Sequence, residues 1–113
     1  MLANWIVAAP AAAQPMKMDE MVRDCFVTDD ASEDRQTDRL RCSAYVFGAF
    51  EMFLMMQERP LVCLPPGGLI GKQILNDLRS WVQRNPRDKR APVTMVIRLA
   101  MLEAYRCPDP KPH

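Results

Sequence analysis

Four cysteines constrain this chain more than any other feature: Cys25, Cys42, Cys63 and Cys107 each fall at the edge of a segment with helical periodicity, behind an apolar, small-residue leader. Paired cysteines after such a leader point to an oxidising compartment, where disulfides persist and supply stability that a small core lacks. The chain therefore reads as a small exported domain held by cross-links.

The leader is expected over residues 1–13. Leu2, Trp5, Ile6 and Val7 run into Ala8-Ala9-Pro10-Ala11-Ala12-Ala13-Gln14, the pattern of a secretory apolar region with a small-residue cleavage site, cut after Ala11 or Ala13. No Lys or Arg precedes the run, so the expectation is a truncated start or an initiator that lies upstream. The run is well short of the roughly 18 residues that a spanning helix needs, and no membrane span is expected. Of the 113 residues, about 100 then remain, enough for one domain with a modest core. That domain is placed at 15–107, followed by the tail 108–113, whose alternating prolines Pro108, Pro110 and Pro112 cannot continue a helix. A net charge of +1 with both signs spread along the chain provides no broad field to gather phosphate backbones, so nucleic acid is not an expected partner.

Four helical segments are predicted. The first covers about 15–27, with Pro15 placed for a first helical position and Met18, Met21, Val22, Cys25 and Phe26 recurring at three- and four-residue steps. A polar stretch, Thr28 to Gln36, interrupts it. The second runs from about Thr37 to Glu58, where Pro60 stops it. From Tyr45 to Met56 it is apolar on nearly every side, so more than one neighbour or a partner subunit must cover it. Beyond the breaker Pro65-Pro66-Gly67-Gly68, residues Ile70, Ile74, Leu78, Trp81 and Val82 form an amphipathic stripe ended by Asn85-Pro86. The fourth opens at Pro92 and keeps Val93, Val96, Ile97, Ala100 and Ala104 on one stripe, flanked by Met95, Leu99 and Leu102; it is the expected central helix. No segment reads as a strand, and Leu61-Val62-Cys63-Leu64 is trapped between prolines. The predicted fold is all-α, a small four-helix domain stapled by two disulfides.

That topology selects the pairing. In an up-down-up-down bundle Cys25 and Cys42 lie at one end, and Cys63 and Cys107 emerge at the other. Bridged cysteines need Cα atoms within about 7 Å, whereas the chain climbs roughly 24 Å from Cys42 to the end of its helix at about 1.5 Å per residue. Cys25 with Cys42 and Cys63 with Cys107 is the surviving connectivity. The chain-entropy model assigns the two loops roughly 3 and 4 kcal/mol, which ranks the second bond as the greater stabiliser.

Catalytic chemistry finds little material. No cysteine pair has C-x-x-C spacing, which disfavours a thioredoxin-like centre and a zinc ribbon. The sole histidine, His113, stands in the tail, which removes His triads, His-ligated zinc and His general-base chemistry. Gly67-Gly68 precedes a helix but lacks the Lys-Ser/Thr register of a phosphate loop. In Met16-Lys17-Met18-Asp19-Glu20-Met21 the thioethers are soft enough for Cu(I), yet packing is the better reading because no histidine or free thiol lies nearby. No enzyme activity, metal or cofactor is expected. The apolar excess on Phe47, Phe50, Met52, Phe53, Met55 and Met56 leaves two readings open, intramolecular core or an interface with a second copy or a partner.

The pattern Cys42-Ser43-Ala44-Tyr45-Val46-Phe47-Gly48, then Cys63-Leu64-Pro65, Trp81-Val82-Gln83-Arg84-Asn85-Pro86 and Ala104-Tyr105-Arg106-Cys107-Pro108 resembles the Rap/Tai family of immunity proteins, from about Met21 to Cys107. The resemblance implies a small periplasmic helical protein, often dimeric, that protects a bacterium from peptidoglycan amidase effectors of type VI secretion. It carries the four cysteines over as disulfide positions, Tyr45 and Gly48 as packing positions on the second helix, and Asn85-Pro86 with Arg90 as the turn before the last helix. Asn85 stands where the family more often has His. Inhibition of this kind needs a rigid protrusion to fill a cleft, and the expected partner-binding segment is Asn85, Pro86, Arg87, Asp88, Lys89 and Arg90. Phe50, Met52, Phe53, Met55 and Met56 are the expected self-association residues. Two other readings, an acid-stress periplasmic chaperone and an envelope-assembly binding protein, also fit an exported, stapled helical domain.

Overall fold

The computed structural model describes residues 15–57 and 59–108. The leader and the tail beyond Pro108 lie outside the described residues. Four helices follow in order: α1 (Met18–Cys25), α2 (Glu33–Met55), α3 (Gly71–Arg84) and α4 (Val93–Tyr105). Among the described residues there is no β-strand, only the isolated antiparallel bridges Lys17 with Pro92 and Val62 with Arg106. None of these helices is long and apolar enough to cross a membrane.

Helix boundaries follow hydrogen-bond partners, near and distant, more closely than periodicity. α1 begins at Met18 instead of Pro15, because Lys17 is extended (φ −97°, ψ 160°) and the Met16 carbonyl accepts from the Val93 N–H at 2.8 Å. α2 begins at Glu33, four residues before the expected Thr37. The Ser32 hydroxyl accepts from the Arg35 N–H at 3.4 Å, and Glu33 and Asp34 set negative charge in the first turn, where the helix dipole favours it. The polar stretch thus ends sooner than its composition suggests. At the other end α2 stops at Met55: Gln57 Oε1 accepts from the N–H groups of Leu61 and Val62 at 2.9 and 3.1 Å, folding the chain back before Pro60 alone would force it. Gly67 and Gly68, both at positive φ (86° and 77°), make the turn into α3 that a side chain would strain.

Met18, Met21, Cys25, Cys42, Val46, Phe50, Ile74, Leu78 and Trp81 are buried around Val93, Val96, Ile97, Ala100 and Met101 of α4. α4 is the central helix, with one change to its stripe: Ala104 is exposed and Met101 is buried, because the 3.6-residue drift carries the last turn past its neighbours. The methionines of the first segment do pack, since Met18 and Met21 are almost wholly enclosed. α2 buries only Cys42, Val46 and Phe50, a single line at i, i+4 and i+8.

Both bonds have the derived connectivity. Cys25 and Cys42 lie 5.1 Å apart at Cα, and Cys63 and Cys107 lie 4.8 Å apart. The first joins the end of α1 to α2; the second joins the α2–α3 connection to the chain leaving α4. Around the second, the Cys63 N–H donates to the Tyr105 carbonyl at 2.8 Å and the Cys107 N–H to the Leu61 carbonyl at 3.0 Å.

Candidate functional site

The connection from α3 to α4 is a pair of tight turns. Asn85 closes α3, its Nδ2 donating to the Trp81 carbonyl at 2.8 Å. The Asp88 N–H then donates to the Asn85 carbonyl at 3.3 Å, and the Ala91 N–H to the Asp88 carbonyl at 2.9 Å. Pro86, Arg87, Asp88, Lys89 and Arg90 are all exposed, while Asn85 is half-buried and Ala91 buried. Asn85 thereby spends its amide on the helix end, whereas the four charged side chains point outward. None of them enters an ion pair among the described residues, where the pairs are Arg23 with Asp24, Arg35 with Asp24 and Asp38, Arg39 with Asp29, and Arg84 with Glu103. Three of the four are cations, so the segment presents positive charge that no acidic group among the described residues pairs, on a short, hydrogen-bonded frame.

The second feature is a groove of about 1350 Å³ between α2, the following turn and α4, lined by Tyr45, Gly48, Met52, Met56, Met95 and Arg98 among others. The residues expected to self-associate divide here. Met52, Met55 and Met56 are 53%, 78% and 74% exposed, and Phe53 is half-buried. Phe50 is corrected: it is 5% exposed and belongs to the core, because it continues the Cys42–Val46 line toward α4. Gly48, implied as a packing position, has nothing among the described residues within 4 Å of where a Cβ would sit. It forms open floor of the groove instead. Met95 and Leu61, missed as surface residues, supply the opposite wall; the signal was present in Met95's place beside the α4 stripe, not on it.

The electrostatics favour fixed structure. Hydrogen bonding from Arg23, opposed by burial and aided by Arg35, holds the Asp24 carboxyl below the usual carboxylate range. The Thr28 hydroxyl does the same for Asp30. The Tyr105 hydroxyl is pushed up to about 12 by its hydrogen bond to Asp77, then by burial. Each shift moves a group further from titration at neutral pH, the opposite of the tuning used for acid–base catalysis. An exposed charged loop and an open apolar groove are features of a binding protein.

A protein-family model described as Rap1a immunity proteins matches residues 17–107. No curated protein and no solved structure matches the chain.

Proposed function

The chain belongs to the Rap1a immunity protein family, and we propose that it acts in the periplasm, after cleavage of its leader near Ala11 or Ala13, by binding and inhibiting a peptidoglycan amidase effector of type VI secretion. The two disulfides support an oxidising compartment. The observation that carries the reading is the exposed run Arg87-Asp88-Lys89-Arg90 on a frame of main-chain hydrogen bonds. A protrusion of this kind enters an enzyme cleft with little ordering cost. Occlusion requires no turnover by the inhibitor.

Replacing Arg87, Asp88, Lys89 and Arg90 together with Ala tests the reading. A buried charge-assisted contact costs about 2–5 kcal/mol when truncated. The quadruple variant should keep its helical spectrum and both disulfides and bind a secreted amidase encoded beside its gene at least about 30-fold more weakly, equivalent to about 2 kcal/mol. Inhibition equal to the parent's would remove the loop from the site and turn attention to the α2–α4 groove. That groove favours a second element of the reading: its exposed methionines form the contact between two copies of the chain.

A further inference from the structure

The first turn of α1 is capped by another part of the chain. The first N–H groups of a helix have no carbonyl partner within it, and Lys17 supplies no side-chain cap. Instead the Met18 N–H donates to the Ala91 carbonyl at 2.8 Å and the Asp19 N–H to the Lys89 carbonyl at 3.0 Å. The exchange is reciprocal, since the Val93 N–H at the start of α4 donates to the Met16 carbonyl at 2.8 Å. The orphan donors of two helices are satisfied across one seam, and the carbonyls on the α3–α4 side include that of Lys89 in the exposed loop.

This short segment is itself anchored. Met18 is 2% exposed in the core, the Met16 N–H donates to Tyr45 Oη at 3.3 Å, and Met16 Sδ lies 3.8 Å from Cys42 Sγ in the first disulfide. The path runs from the cross-linked α1–α2 pair through Met16–Asp19 to Lys89. We infer that Met16–Asp19 is a positioning segment, which fixes the backbone of Lys89 to Ala91 so that the charged loop meets its partner already ordered. The inference rests on the loop's being the partner-binding site, and it adds the element that gives the loop its shape. Ordering the loop during folding leaves less conformational freedom to lose on association.

Asp19→Pro deletes the N–H donated to Lys89. The second residue of a helix has no intrahelical bond to lose, and proline is tolerated in the first turn. Asp19→Ala, which keeps the N–H, is the control. In the full chain, amide exchange at Ala91 and Asp88 should be at least about 10-fold faster in Asp19→Pro, whose ring also crowds the Lys89 carbonyl, than in Asp19→Ala, with the helical spectrum and both disulfides retained in each. Affinity for the adjacent-gene amidase should fall about 10-fold in Asp19→Pro alone. Unchanged exchange overturns the inference, as does faster exchange with unchanged affinity for an amidase that the quadruple loop variant fails to bind. A quadruple variant that binds like the parent instead overturns the loop's assignment, and exchange then decides by itself whether the segment holds the loop. The unaltered chain offers a check that needs no variant: Met18 and Asp19 amides should be protected, and rapid exchange at both would show that no clamp exists.

Discussion

Tyr105 Oη donates to Asp77 Oδ2 at 2.5 Å, joining the last turn of α4 to the middle of α3. This bond raises the hydroxyl's pKa to about 12. A group whose folded pKa lies above its unfolded value, about 10 for tyrosine, contributes fully below the unfolded value and loses its contribution as pH rises through the folded one. Stability should therefore hold to about pH 10 and fall between about 10 and 12. Tyr105→Phe should cost about 1–2 kcal/mol at pH 7 in urea unfolding and flatten that alkaline limb. An unchanged limb would show that the pair does not hold α3 to α4.

Asp24 contributes to the acid limb. Its carboxylate lies 3.0 Å from both Arg23 Nε and Arg35 Nη1, and the second contact ties α1 to α2. Because the folded pKa is lowered, chiefly by the Arg23 hydrogen bond, the contribution is present above the unfolded value of about 4 and disappears as pH falls through the lower folded one. Asp24→Asn should cost about 1 kcal/mol at pH 7, discounted for the exposure of both arginines, and progressively less as pH falls below about 4. A constant difference across that range would assign the effect to packing.

Much of this architecture was legible because its causes are local. Pro65-Pro66-Gly67-Gly68 and Asn85-Pro86 bracket α3 in both sequence and structure, and the two bonds could be paired because helix rise makes the other connectivities too long. What periodicity could not show is how long-range partners move a boundary. Pro15 looks like a first helical residue, yet Lys17 is extended because the Val93 N–H and the Ala91 carbonyl take up the backbone groups of Met16 and Met18 on either side of it. Phe50 and Met52 are equally apolar in sequence; only the position of α4 sends one into the core and leaves the other on the surface. In the charged α3–α4 loop the charges could be read directly, but the frame beneath them comes from carbonyls and N–H groups, which composition does not reveal.

The disulfides should differ in how they respond to reductant. Loop lengths of 17 and 44 residues favour Cys63–Cys107 as the greater stabiliser by only about 0.8 kcal/mol. Access differs more, since Cys25 and Cys42 are 3% and 1% exposed while Cys63 is exposed and Cys107 half-buried. Dilute thiol should open Cys63–Cys107 first, giving an intermediate destabilised by about 4 kcal/mol in which Cys25–Cys42 persists. Mass mapping of trapped thiols would identify it. Prior release of Cys25 and Cys42 would mean that α1 separates from α2 more readily than its burial implies.

Gly48 and Gly71 should answer the same substitution in opposite ways. At Gly71 a Cβ would come within 2.6 Å of Phe47 Cζ, so Gly71→Ala must push the ring aside and should cost about 1 kcal/mol, the low end for overpacking; adding Phe47→Leu should recover most of it. Gly48 is inside α2 beside open groove, where Ala should stabilise an isolated copy by about 0.5–1 kcal/mol through helix propensity alone. If two copies meet across this groove, the added methyl occupies their closest approach. Gly48→Ala should then raise the monomer's stability while shifting sedimentation toward monomer, and Met52→Glu should abolish the dimer by placing a carboxylate in the apolar contact. Neither should affect the proposed amidase inhibition, because the contact proposed for it is the charged α3–α4 loop. Loss of inhibition by Met52→Glu with the fold intact would instead place the effector in the groove, and unchanged sedimentation of both variants would remove self-association from this surface.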